Sequence, residues 1–170
     1  MEPEVETFHL TPDGDIPNNS LPLVLYRQAL APELRTAAAC QALFARNEWR
    51  GNWVNGIFDY WHFHVTGHEV LGCVEGAAQV GFGGDGGIDV EFRTGDVVVI
   101  PAGVGHKRLS EKRDGFMVVG GYPPGQNGEI TRPGEVERDD ALRRIAGLAL
   151  PRGDPVLGSE GPLIKAWNIR

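Results

Sequence analysis

The stretch Gly56-Ile57-Phe58-Asp59-Tyr60-Trp61-His62-Phe63-His64-Val65-Thr66-Gly67-His68-Glu69 decides how this chain is read. It holds three of the five histidines. Residues two apart on a strand point to one face. A strand over Ile57–His64 therefore aims the imidazoles of His62 and His64 at one point. Glu69 opens the next strand, and His106 follows the turn Pro101-Ala102-Gly103-Val104-Gly105. Pro101 ends the buried run Val97–Ile100, and Gly103 permits the positive φ that swings His106 back toward the same point. A lone histidine reads as a core residue. Two on one face with a third behind a rigid turn, plus a carboxylate, read as ligands for one divalent transition metal per chain, Fe, Mn, Ni or Zn. One choice stays open: His68 and Glu69 are adjacent, so only one faces the metal. The apolar residues on the two faces (Leu71 and Cys73 with Glu69, Val70 and Val74 with His68) do not decide between them.

Working outward, short apolar blocks separated by glycines predict further strands at Leu21–Tyr26, Glu69–Glu75, Ala78–Phe82, Ile88–Phe92, Asp96–Ile100, His106–Leu109 and Phe116–Gly120. The run 83–87 (GGDGG) reads as a hairpin loop. Helices are expected at Ala31–Asn47 and Asp140–Ala149. Residues 1–52 then make an N-terminal arm, strand and helix, 53–122 a β core, and 123–170 a second helix and an apolar tail that packs on the core. The pattern is mainly β, a sandwich or barrel in one domain covering 1–170.

Composition narrows the partners. The 170 residues include 16 Lys+Arg and 23 Asp+Glu, a formal net charge of −7. That balance, with no basic run, argues against nucleic acid. No apolar run approaches the length of a membrane-spanning helix, and the acidic start lacks a signal-peptide layout. Two cysteines, Cys40 and Cys73, make no disulfide framework, so a reducing cytoplasm is expected.

Gly56, His62, His64, Glu69 and Gly76 match a glycine, five residues, His-any-His, four residues, Glu, six residues, glycine. Gly95, Pro101, Gly103 and His106 match a second pattern, which ends in Asn where this chain has Ser110. The nine positions together resemble the two motifs of the cupin superfamily. The arm at Thr7–Asn19, the turn at 120–123 and the tail from Asp154 resemble small stand-alone bacterial cupins. The resemblance implies a small jelly-roll-type β-barrel with an N-terminal arm and about two peripheral helices. It implies His62, His64, Glu69 and His106 as metal ligands, and leaves His68 as a rim residue or a support that orients a ligand. It also implies a homodimer, with the N-terminal arm and Leu21–Tyr26 a candidate for extending a partner's sheet.

Parity adds Phe58 and Tyr60 to the face of His62, and Arg108 to that of His106, as candidate substrate contacts. Tyr60 and Glu69 are candidates for proton transfer. The expected function is a metal-dependent enzyme on a small molecule, a dioxygenase before an isomerase or decarboxylase. The alternative is a non-catalytic protein that binds a sugar or organic acid beside its metal.

Overall fold

The computed structural model describes residues 3–170; Met1 and Glu2, the start of the expected arm, lie outside the described residues. In chain order the strands are β1 (Glu4–Leu10), β2 (Asn19–Arg27), β3 (Arg50–Asn55), β4 (Glu69–Phe82), β5 (Ile88–Arg93), β6 (Val97–Ile100), β7 (His106–Arg108) and β8 (Arg113–Tyr122). The α-helices are α1 (Ala37–Arg46), α2 (Arg138–Ala146) and the short α3 (Pro162–Ala166).

All the pairings between these strands are antiparallel, in the order β1-β2-β6-β4-β8-β3, with β5 and β7 also paired to β4. This is a jelly-roll-type barrel, and β4 is its spine. Its first half pairs with β6 and β8, and its second half with β5 and β7. The predicted break between Glu75 and Ala78 is a bulge, not a chain break. Gly76 there has φ 68°, and a Cβ on it would sit 2.2 Å from the Arg113 carbonyl oxygen. Only glycine fits that crossover.

β4 is buried on both faces. Leu71 and Cys73 point into the barrel with Leu23, Val98, Ile100 and Val118. Val70 and Val74 point the other way, against Phe44 and Leu43 of α1 and Trp167 after α3. Each such side chain contributes roughly 1.5–3 kcal/mol through burial. The C-terminal tail is fastened to the outer layer. The buried Asp154 carboxylate accepts from the Tyr26 hydroxyl (2.6 Å) and the Leu163 N–H (3.0 Å), and the Trp167 indole donates to the Pro22 carbonyl (2.8 Å).

Several elements differ from expectation. The N-terminal arm is a strand, β1, rather than an unpaired extension. β2 is consequently paired on both sides, by β1 and β6, and offers no free edge to a partner. The expected helix Ala31–Asn47 is split into a single 3-10 turn at Pro32–Leu34 and α1. Thr36 makes the split: its extended backbone starts a new helix and its Oγ1 accepts the Ala39 N–H (3.2 Å). The second helix ends at Ala146 rather than Ala149, and a third, α3, joins the two expected. No helix of the described residues is long and apolar enough to cross a membrane.

Candidate metal centre

The segment Ile57–His64 is not a strand. It runs in from β3 with a bend at Asp59-Tyr60 and makes only isolated bridges, His62 with His106 and Phe63 with Thr131. Its backbone is nevertheless extended across Phe63, so the side chains alternate. Phe63 turns out into a small cluster with Ala141 and Ile145 of α2, while His62 and His64 turn into the barrel. The Pro101–Gly105 turn brings in His106. Gly103 takes φ 86°, its N–H donates to the His64 carbonyl (2.8 Å), and the His62 and His106 backbones are bonded to each other.

His62, His64 and His106 are all buried, and each offers a nitrogen within 4.8 Å of the other two. Which nitrogen is decided by hydrogen bonding. The Nδ1 atoms of His62, His64 and His106 face the carbonyls of Tyr60 (3.1 Å), Glu129 (3.1 Å) and Val104 (3.0 Å). A carbonyl only accepts, so each Nδ1 carries the proton. In its neutral form each ring then presents the lone pair on Nε2, as a ligand histidine must.

Glu69 stands beside two of these imidazoles. Its Oε1 lies 3.1 Å from His64 Nε2 and 3.4 Å from His106 Nε2. Its Oε2 accepts a 2.5 Å hydrogen bond from the Tyr122 hydroxyl, which in turn accepts from the Trp53 indole (2.8 Å). A lone pair and a carboxylate oxygen at 3.1 Å need a positive charge between them, either a proton or a cation. The titration tendencies agree. Burial would raise the Glu69 pKa, but His64 and His106 overcome it and hold the carboxylate below its usual range. Burial and the neighbouring His106 push His62 down to about 3, whereas for His64 the Glu69 charge outweighs burial and the net shift is upward. The three imidazole nitrogens fit a divalent transition metal, and the buried Glu69 carboxylate lies beside two of them.

Above this group lies a cavity of about 460 Å³. Its walls include Trp53, Ile57, Phe58, Leu71, Tyr122 and Ile130. Phe58 is on the cavity, with its ring edge against His62 at 5.4 Å.

The structure corrects three expectations. Tyr60 does not line the cavity; its ring stacks on Phe58 on one side and carries the Arg132 guanidinium 3.6 Å away. Its contribution is the carbonyl that fixes the His62 tautomer. Arg108 does not line the cavity either. Its guanidinium is spent on the carbonyls of Ile57 (3.2 Å) and Ser110 (2.5 Å), strapping the entering segment to β7. His68 faces away from the site. Its Nδ1 accepts the Ala102 N–H (2.9 Å) and its ring packs against Trp167, so it supports the outer layer. Ser110, where the second motif has Asn, still serves the fold, because its Oγ accepts the Gln79 N–H (2.9 Å).

Tyr122 and Trp53 are site residues that the strand pattern alone does not single out. A register argument finds Tyr122. Val70 pairs with Gly121, so the residue opposite Glu69 is Tyr122.

Comparison with known proteins agrees with this architecture. The family model described as "Cupin" matches residues 55–132. The Bacillus subtilis protein YjlB, described as uncharacterized, is 39% identical over 168 residues, spanning 98% of this chain and 99% of its own length. Among solved structures, acireductone dioxygenase from Bacillus anthracis, with a cadmium ion in its active centre, is 18% identical. It covers 75% of this chain and 81% of its own, with a TM-score of 0.44. The DMSP lyase DddQ from Ruegeria pomeroyi is 14% identical and covers 68% of this chain and 45% of its own, with a TM-score of 0.38. With both motifs in place on a jelly-roll barrel and a full-length relative at 39% identity, this chain belongs to the cupin family.

Proposed function

We propose that this cupin is a metal-dependent enzyme acting on a small molecule, of dioxygenase type in preference to an isomerase or decarboxylase. The observation that carries the reading is the convergence of three tautomer-fixed imidazoles and the Glu69 carboxylate at the floor of a cavity of ligand size. His62, His64 and His106 would hold one divalent transition metal through Nε2, and Glu69 through Oε1. When bound, such an ion supplies Lewis acidity, redox capacity and open coordination positions.

The chain's own residues do the rest. Three backbone carbonyls hold a proton on each Nδ1 and orient the imidazoles with Nε2 toward the site. Tyr122 occupies Glu69 Oε2, so the carboxylate presents Oε1 alone. The same hydroxyl touches Glu69 and lines the cavity, so proton transfer at the floor would run between these two groups.

Two buried, unpaired cysteines support a reducing cytoplasm as its location. The outer edge of β1 is the edge through which we propose a homodimer, testable by light scattering.

The test of function is oxygen uptake by the Fe(II)-loaded protein over a panel of small organic molecules, beside His106→Ala. Turnover lost in the variant is the expected result. Uptake equal in both, or binding that survives replacement of the metal with no turnover at all, would overturn the enzyme reading and leave a binding protein.

A further inference from the structure

The walls and the hydrogen-bond accounting of the cavity narrow what it takes, and this inference rests on the metal reading above. The apolar lining is Trp53, Val54, Ile57, Phe58, Leu71 and Ile130. No Lys or Arg side chain lines the cavity among the described residues; Lys112 approaches Gly56 but is not part of the wall.

The polar side chains on the wall are nearly used up. Gln126 is spent at both ends, its Oε1 accepting the His68 N–H (2.9 Å) and its Nε2 donating to the Ala149 carbonyl (2.7 Å). The Tyr122 hydroxyl both donates to Glu69 and accepts from Trp53. Asn127 Oδ1 takes the Thr66 hydroxyl and the Glu129 N–H, and Asn55 Oδ1 takes the Gly56 N–H. Only the Nδ2 groups of the exposed Asn55 and Asn127 remain, among the described residues. A ligand rich in hydroxyls would leave them unpaired against apolar walls, at a real cost per group. A phosphate would find no Lys or Arg side chain on the wall itself, among the described residues.

The floor has the opposite character. A divalent cation with three neutral imidazoles and one carboxylate carries a net charge of +1, buried, so one negative charge on the ligand neutralises it. We infer that the site takes a small molecule with an apolar, aromatic or branched aliphatic body and a single monoanionic oxygen-chelating head. It does not take a sugar, a sugar phosphate or a nucleotide. The cavity of about 460 Å³ has room for about 15 water-sized volumes, enough for such a small organic molecule.

Hydroxamates separate the head from the body. The protein, loaded with redox-silent Zn(II) and with its metal content measured on the same sample, is titrated calorimetrically with benzohydroxamate, acetohydroxamate, glucose and glucose 6-phosphate. The two hydroxamates share one head and differ by phenyl against methyl. Benzohydroxamate should bind about 10- to 100-fold tighter than acetohydroxamate, from burial of the ring, and neither sugar should compete. In Ile130→Lys, at the exposed mouth, that preference should shrink and glucose 6-phosphate should gain affinity. Equal affinity for the two hydroxamates, or a sugar binding as tightly as benzohydroxamate, on protein that carries its zinc would overturn this inference and leave the metal reading standing. Failure of the protein to retain zinc would overturn both.

Discussion

Replacing Tyr122 by Phe removes one oxygen from the most connected hydrogen bond of the site. That hydroxyl donates to Glu69 Oε2 at 2.5 Å and accepts from the Trp53 indole at 2.8 Å, with Tyr122 itself only 6% exposed. The substitution keeps the ring and its packing. It leaves a buried carboxylate oxygen without its donor, and hydrogen bonds to charged groups are worth about 1.5–3 kcal/mol. For a chain of this length that lowers the melting temperature by roughly 3–12 °C in metal-free protein. The metal effect should be separate and of similar size. Freed from Tyr122, Glu69 loses the restraint that presents Oε1 alone, and loss of a group that supports a ligand typically weakens metal affinity about 10- to 100-fold. Chelator competition on the refolded variant gives the metal Kd, and calorimetry with and without metal gives the two melting temperatures. Trp53→Phe serves as a control. It removes only the donor to a hydroxyl that keeps its main bond, and its effect on metal affinity should stay within about threefold of wild type. A Tyr122→Phe protein with wild-type metal Kd and a melting temperature within a degree of wild type would refute the reasoning.

Arg108→Ala should cost about 1 kcal/mol of stability in urea unfolding by releasing the Ile57 and Ser110 carbonyls, with metal Kd and ligand affinity unchanged, because the guanidinium never reaches the cavity. Gly76→Ala should destabilise by at least about 2 kcal/mol, since it puts a Cβ in a left-handed conformation against the Arg113 carbonyl; equal urea midpoints would contradict the bulge. His68 is held neutral by burial, its pKa pulled down to about 4. The folded state then binds fewer protons than the unfolded chain between about pH 6.5 and pH 4, so stability falls as pH drops through that window. Relative to His68→Asn, which keeps an acceptor for the Ala102 N–H but does not titrate, the wild type should lose about 3 kcal/mol between pH 7 and pH 4. Parallel stability curves would refute the burial argument.

The two-residue spacing of His62 and His64 was informative because alternation depends on extended backbone, which this segment has, and not on ladder partners, which it mostly lacks. The same pattern therefore overpredicts a strand at Ile57–His64. Parity failed at Arg108 for a related reason: β7 is three residues long, and carbonyls within reach outcompete the cavity for the guanidinium. The choice between His68 and Glu69 was not legible from hydrophobicity. β4 is covered by the barrel interior on one face and by α1 and α3 on the other, so both faces are apolar. Tyr122 was out of reach because its partner Glu69 is 53 residues away and only the β4–β8 register brings them together. The expected helix Ala31–Asn47 contains two starts, Pro32 opening the 3-10 turn and Thr36 capping α1, so one predicted helix became two elements.

The central claim is that His62, His64, His106 and Glu69 hold one divalent metal per chain. Elemental mass spectrometry of untagged protein, beside the His62→Ala/His106→Ala double variant checked for folding by circular dichroism, tests it directly. The predicted result is close to one transition-metal ion per chain in the wild type and none in the folded double variant. No metal in the wild type after loading attempts, or equal metal in both proteins, would contradict it.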